Sequence, residues 1–405
     1  MTAMLVGRAA PVACIALLLV SGAVSSAFAL DAFWQGRRSQ LWEHGVAGGV
    51  SNWYSKRPLQ GKPRDVPDGA AIFATGARRH QILLVRREPV TISSLAFLTD
   101  TRRYSFEIPS GAEMSIVGDG VFNYSPKTPE FLVRGKLAIR NSARLRAGAG
   151  RTSALIVNRR RVEFYNHSRG GNAEISNDSR VVFHNESSAG GMKITNTPRA
   201  DFQPGGGTTV FRDRSTGGSA HVTNHPGFPA ASTVFEGFSS AERMTITNLG
   251  DFGDSGVTGG ETSFSDRSTG GDAHFVNHSD GILSFAGTRG PAGNRVVTAG
   301  SIYNVGRLYV GLNKLVVRED FTQEAQGGVS LRIEFSAARH GSVRVEGKAI
   351  LGGSLWVSPF IEPGFYKVLY AEGGRTGNFD LISDGYFGNG RLAYSDKEVN
   401  LIVDP

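Results

Sequence analysis

The chain has 405 residues, a formal net charge of +8, 53 glycines against 16 prolines, and a single cysteine. That length can bury one extended core or two ordinary ones, and a lone cysteine excludes an intramolecular disulfide. No stretch after Ala29 carries a convincing helical period, while short alternating apolar runs broken by Gly, Asn and Ser recur throughout, so a helical bundle is excluded and the chain reads as all-β.

The first element is a leader. Met1–Ala29 holds one charge, Arg8, then an apolar run from Ala9 to Val20, then small residues ending Ala27-Phe28-Ala29. This is the pattern of a secretory signal peptide, with cleavage expected after Ala29. Pro11, Ser21 and Gly22 interrupt the run, which makes it too short for a transmembrane anchor. Cys14 lies inside the apolar run, with Ile15–Val20 after it, so lipidation is not expected. The mature chain would then hold no cysteine, and its stability would rest on burial and hydrogen bonding.

Charge is distributed unevenly. Leu30 to Tyr165 contains 22 Lys/Arg against 11 Asp/Glu, and Asn166 to Pro405 contains 21 against 25. The arginines cluster as Arg78-Arg79, Arg86-Arg87, Arg102-Arg103 and Arg159-Arg160-Arg161. Such clusters end strands and sit in water, or form a basic face for an anionic partner such as a surface polysaccharide, lipid head groups or DNA. The solvated reading is the simpler, because clusters alone do not establish a shared face. Arg159, Arg160 and Arg161 are the candidate anionic-ligand residues.

Next along the chain comes a repeat. Five copies begin at Phe164, Phe183, Phe211, Phe235 and Phe264. Four positions after each Phe stands Ser168, Ser187, Ser215, Ser239 or Ser268; seven after, Gly171, Gly190, Gly218, Gly271 and, exceptionally, Glu242. Nine after is Ala173, Met192, Ala220, Met244 or Ala273; eleven after is Ile175, Ile194, Val222, Ile246 or Phe275. Thirteen after is always Asn, at Asn177, Asn196, Asn224, Asn248 and Asn277. A β-branched residue precedes each Phe by two: Val162, Val181, Thr209, Thr233 or Thr262.

Each copy is therefore two short strands about a turn, with alternate residues on one face and Gly at a position of positive φ. Neither strand can bury its apolar face within one copy, so the copies must stack into a solenoid. An inward Asn is costly unless paired, and identical amides stacked at strand spacing pair along the column. Asn also tolerates the left-handed backbone of a sharp corner. The aliphatic-x-Asn ending recurs at Asn141, Asn158 and Asn304, so the expected ladder is Asn141, Asn158, Asn177, Asn196, Asn224, Asn248, Asn277 and Asn304. Loops such as Gln203 to Gly207 and Gly250 to Gly260 absorb the variation between copies. A β-propeller is the rival fold, but blades repeat at about 40 residues or more. The expected fold is a right-handed parallel β-helix.

The segments around the repeat resemble autotransporter passengers. Phe33-Trp34-Gln35-Gly36, Ser51-Asn52-Trp53 and Val66-Pro67-Asp68-Gly69-Ala70-Ala71-Ile72-Phe73 are similar to the passenger start, and Ser115–Asn123 to early rungs. Gly341–Leu355 resembles the last passenger rungs; Phe365–Gly373, Thr376-Gly377-Asn378-Phe379, Leu392–Ser395 and Val399–Val403 resemble the C-terminal autochaperone module. The resemblance implies a signal peptide over 1–29, a cap and first rungs over 30–130, the repeat β-helix over 131–310 and an autochaperone-like module over 311–405. In that family a membrane β-barrel follows, whereas this sequence stops at Asp404-Pro405. A passenger without its translocator is the expectation, with a truncated remnant lacking its own activity as one alternative.

Catalytic chemistry finds little support. Gly253-Asp254-Ser255-Gly256 resembles the nucleophile loop of chymotrypsin-like proteases, but no His stands in the matching context to act as base. The copies at Phe211 and Phe264 align His221 with His274, His225 with His278 and Asp213 with Asp266. A copy between them separates each pair by two rungs, about 10 Å, too far to share one ion. The Asp cluster of a β-helix polysaccharide lyase is missing, although a lyase-like carbohydrate-active enzyme remains the catalytic alternative. No P-loop, HExxH or CxxC spacing occurs. The expectation is an exported, monomeric, non-catalytic adhesin-like or structural protein without cofactor or metal. Its partner would be an anionic surface polysaccharide or a host or matrix surface, with no specific nucleic acid and no membrane-spanning segment in the mature chain.

Overall fold

The computed structural model describes residues 30–43, 51–54, 66–85, 89–199, 206–251, 257–324, 330–336, 339–357, 362–383 and 390–404. The expected leader Met1–Ala29, Arg86-Arg87 and the segment Gly253–Gly256 lie outside the described residues, as does most of Gln203 to Gly207. Among the described residues every helix or strand element is a strand, and no helix is long and apolar enough to cross a membrane. The strands form a parallel β-solenoid of about 12 turns.

One coil of the repeat shows how the sequence is used. Arg161–Phe164 lies in the first sheet, the chain turns at Ser168, Glu174–Asn177 lies in the second sheet, and Arg180–Phe183 returns to the first. Parallel pairing sets Phe164 beside Phe183, Phe183 beside Phe211, Phe211 beside Phe235 and Phe235 beside Phe264. The second sheet has 13 strands and is parallel throughout. Between the sheets a third face is reduced to single paired residues, Arg169, Ser188, Thr216, Ser240 and Thr269. From Val296–Ala299 onward that face widens into real strands, continued by Lys314–Val317 and Ser342–Val345.

Strand spacing dictates the core. Phe164, Phe183, Phe211, Phe235, Phe264 and Phe285 stack nearly parallel, centroids 4.6–4.8 Å apart. That is the separation of neighbouring strands, so one ring per rung in one column can only stack. Ile139 occupies the same column beneath Phe164. A second apolar column of Ile156, Ile175, Ile194, Val222, Ile246, Phe275 and Ile302 faces it from the second sheet, all buried.

The asparagines hydrogen-bond in series. Nδ2 of Asn158 donates to Asn177, Asn177 to Asn196 and Asn196 to Asn224, at 2.7, 2.7 and 2.8 Å. Asn224 then donates to Asn248, Asn248 to Asn277 and Asn277 to Asn304, at 2.9, 3.1 and 2.7 Å. Gln323 ends the series by accepting from Asn304 at 2.9 Å. Each rung thus satisfies an amide that burial would otherwise leave unpaired.

Two expectations are corrected. Asn141 does not belong to the ladder: the strand it follows, Lys136–Ile139, is in the first sheet, and the ladder position below Asn158 is filled by Val133. Asn141 is exposed, at φ 58°. The aliphatic-x-Asn pattern misled because Ile139 aligns with the Phe column, two residues before a corner. Nor do the ladder asparagines adopt the left-handed backbone. A separate corner column does, made of Asn141, Asn166, Asn185, Asp213, Gly237 and Asp266, all with φ between 55° and 68°. The opposite corner uses Gly171, Gly190, Gly218, Glu242 and Gly271, where Glu242 takes φ 51°.

The N-terminal end is closed by Ala32–Trp34 pairing antiparallel with Trp53–Tyr54, over an edge-to-face cluster of Trp34, Trp42 and Trp53. At the other end Gly364–Ala371, Glu398–Val403 and Gly390–Tyr394 form an antiparallel ribbon. Such caps cover strand edges that would otherwise pair with another chain.

Candidate functional site

The outer face of the first sheet is built from the repeat positions whose side chains alternate with the buried ones. Three outward columns run along it. The first contains Glu113, Lys136, Arg161, Arg180, Thr208, Ser232 and Glu261. The second contains Ser115, Ala138, Glu163, Val182 and Val210. The third follows each Phe-column residue by one: Arg140, Tyr165, His184, Arg212 and Glu236, whose amides bond successive carbonyls of that column.

Long side chains of the outer two columns close over the middle one, so Glu163, Val182 and Val210 are buried although they point out of the sheet. Around Glu163 the contacts are dense. Lys136 Nζ lies 3.1 Å from its carboxylate, Arg161 Nη1 and His184 Nε2 each lie 3.7 Å away, and the Tyr165 hydroxyl donates to it. Tyr165 stacks on His184 at 4.5 Å, and the Arg140 guanidinium covers Tyr165 at 4.4 Å. Arg212 pairs with Glu236, while Glu113 lies 3.5 Å from Lys136 and 3.6 Å from Arg140.

Burial works to raise the Glu163 carboxyl, but interactions with His184, Tyr165 and Lys136 outweigh it and hold the pKa down at about 2. Burial and the same carboxylate push Tyr165 up to about 12. Glu163 is therefore an anion and Tyr165 a neutral phenol across the whole neutral range, and neither exchanges a proton there. Arg180 is held below its ordinary value by desolvation, and by the like charges of Arg212 and Arg161. Five cations, Lys136, Arg140, Arg161, Arg180 and Arg212, face three carboxylates, so the patch keeps a positive excess that an anion would relieve.

The arginine triplet is split by the corner between the sheets. Arg159, just beyond the strand Leu155–Asn158, is paired with Asp178 on the next rung, and Arg160 is exposed on the same corner. Only Arg161 reaches the outer face of the first sheet. His221 and His274 are separated by Thr245 in the second sheet, and Asp213 and Asp266 belong to the corner column, with Gly237 between them. Among the described residues no three His, Cys, Asp or Glu side chains gather as a metal site. Ser255 lies outside the described residues.

Lys136, Arg140, Glu163, Tyr165, Arg180, His184 and Arg212 are not adjacent in sequence, so charge clusters along the chain do not reveal them. The repeat register does. Positions three before, one before and one after each Phe are the outward columns, and reading down them brings the patch together. No family model, no curated protein and no solved structure matches this chain.

Proposed function

We propose that this is an exported, non-catalytic β-solenoid that holds an anionic polysaccharide against the outer face of its first sheet. The observation that carries the reading is the pair of cationic columns, Lys136–Arg161–Arg180 and Arg140–Tyr165–His184–Arg212, with the stacked Tyr165–His184 pair between guanidinium groups. Sugar rings offer apolar faces to aromatic rings and carry carboxylate or sulfate groups at their edges, and arginine binds such oxyanions through a planar pair of donors. Glu163 stands at the centre as a fixed counter-charge that keeps the cations ordered. Cations and stacked rings gathered around one buried carboxylate suit the patch to holding an oxyanion.

The test is binding of heparin and of polygalacturonate to the mature chain across a salt series. Arg161→Gln with Arg180→Gln should weaken binding about tenfold, or ~1.4 kcal/mol, while Arg159→Ser with Arg160→Ser should change it little. Binding should also fall as the Debye length shortens from about 10 Å at 0.1 M toward 3 Å at 1 M salt. Salt-independent binding, or equal binding by the two double variants, would sink the reading. Release of unsaturated sugars would put a lyase in its place. Export is tested by mass spectrometry of the secreted N-terminus, where a product still beginning near Met1 would refute cleavage after Ala29.

A further inference from the structure

Farther along the same outer face, the middle column continues through Val234, Ser263 and Ser284 to Tyr309, Arg332 and Trp356. The Arg332 guanidinium is sandwiched between two rings, with its carbon 5.0 Å from the Tyr309 centroid and 4.9 Å from that of Trp356. All three side chains are partly exposed. Arg332 Nε is buried without a hydrogen-bond partner, and among the described residues no carboxylate pairs with this guanidinium. With its faces against two rings and Nε closed off from solvent, this cation has its terminal Nη groups left to offer, and their paired N–H donors match the two oxygens of a carboxylate or sulfate.

We infer that Tyr309, Arg332 and Trp356 form a second oxyanion subsite for the same polysaccharide, whose chain runs along the solenoid axis. This rests on the glycan-binding reading and adds a direction and a minimum length to it. The strand of Arg332 lies six pairings from that of Arg180, through the strands of Thr208, Ser232, Glu261, Ile282 and Arg307. At strand spacing that is about 29 Å. The intervening middle column of Val210, Val234, Ser263 and Ser284 carries no charge; of the two carboxylates beside it, Glu236 is paired with Arg212, and Glu261 is the one like charge the chain passes. Arginine stacks and pairs bidentately where lysine cannot, so the subsite depends on the guanidinium plane as well as on its charge.

Trp356 makes the inference measurable. The chain has four tryptophans, and Trp34, Trp42 and Trp53 are buried at 2%, 0% and 3% exposure in the N-terminal cap. Heparin chains longer than about 29 Å should shift or quench tryptophan emission, and Trp356→Phe should abolish the change. Arg332→Gln should weaken the long chains about tenfold and leave short chains, held by the basic columns, bound as in wild type. Arg332→Lys should recover less than half of that loss. Thermal melting of both variants separates a lost contact from a lost fold: a Gln variant that melts like wild type yet loses the long-chain advantage supports the subsite. Unchanged emission together with equal long-chain affinity in wild type and Arg332→Gln overturns it, whatever the basic columns do. Conversely, a loss confined to Arg332→Gln, with Arg161→Gln and Arg180→Gln without effect, keeps this subsite and refutes the basic-column reading.

Discussion

Asn196 donates from Nδ2 to Oδ1 of Asn224 at 2.8 Å, across 28 residues of sequence and one rung of structure. Asn224 passes the pattern on to Asn248 and also accepts from the Thr233 hydroxyl at 3.0 Å. Both residues are fully buried. Asn224→Leu therefore leaves the Asn196 amide, the Thr233 hydroxyl and the Glu261 carbonyl short of a partner. It should lower stability by about 1–3 kcal/mol for each group left unpaired, whereas Thr223→Leu, on the half-exposed side of the same strand, should cost less than about 0.5 kcal/mol. Equal urea midpoints for the two variants would refute a load shared along the ladder.

The phenylalanine stack gives a second stability prediction. Phe211 lies 4.7 Å from Phe183 and 4.8 Å from Phe235 and is fully buried. Phe211→Ala should cost about 3–5 kcal/mol, because rungs held above and below by strand pairing cannot collapse into the cavity. Phe365→Ala, at a side chain 64% exposed, serves as the control and should be nearly silent. Denaturant titration distinguishes them, and comparable losses would count against a rigid stack.

At the glycine corner, Glu242 adopts φ 51° where its neighbours in the column are glycines at φ 62–67°. Glu242→Gly should raise the melting temperature by relieving a left-handed side-chain conformation worth about 1–2 kcal/mol, less the entropy that glycine loses on folding. Gly218→Ala should lower it, because the new Cβ would sit 2.6 Å from the Gly190 carbonyl oxygen at φ 65°. Shifts of the same sign for both variants would overturn this account of the corner.

Glu163 predicts a pH dependence. Its folded pKa, about 2, lies below the ordinary carboxyl value of 4.5. The ionised carboxylate therefore contributes stability that is fully present above pH 4.5 and is lost as the pH falls toward 2. Glu163→Gln should cost on the order of 2 kcal/mol at neutral pH, with the gap to wild type closing through that acid window. Parallel urea titrations at neutral and acid pH read this directly, and a gap that stays constant with pH would falsify the assignment.

Much of the fold was legible in the sequence because a solenoid repeats its environment: each rung imposes the same demands on the same positions, so Phe, Gly and Asn recur in register. The ladder from Asn158 to Asn304 follows from that recurrence, as does the Phe column from Phe164 to Phe264. Asn141 stands outside the ladder despite its sequence because the same three-residue ending occurs on both sheets, and only strand pairing tells which sheet a segment joins. Outward positions carry no such constraint; their side chains vary freely from rung to rung, and no local motif marks them. Lys136, Arg161 and Arg180 became one column, and Tyr309, Arg332 and Trp356 another, only when parallel pairing laid residues 19 to 25 positions apart side by side. Similarly, the contiguous Arg159-Arg160-Arg161 was divided by a corner that sends Arg159 to Asp178 and Arg161 to the outer sheet face. Buried periodicity determined the architecture from the sequence, while the location of exposed charge was decided by tertiary pairing, because burial constrains residue type locally and surface electrostatics depends on distances that only the folded chain creates.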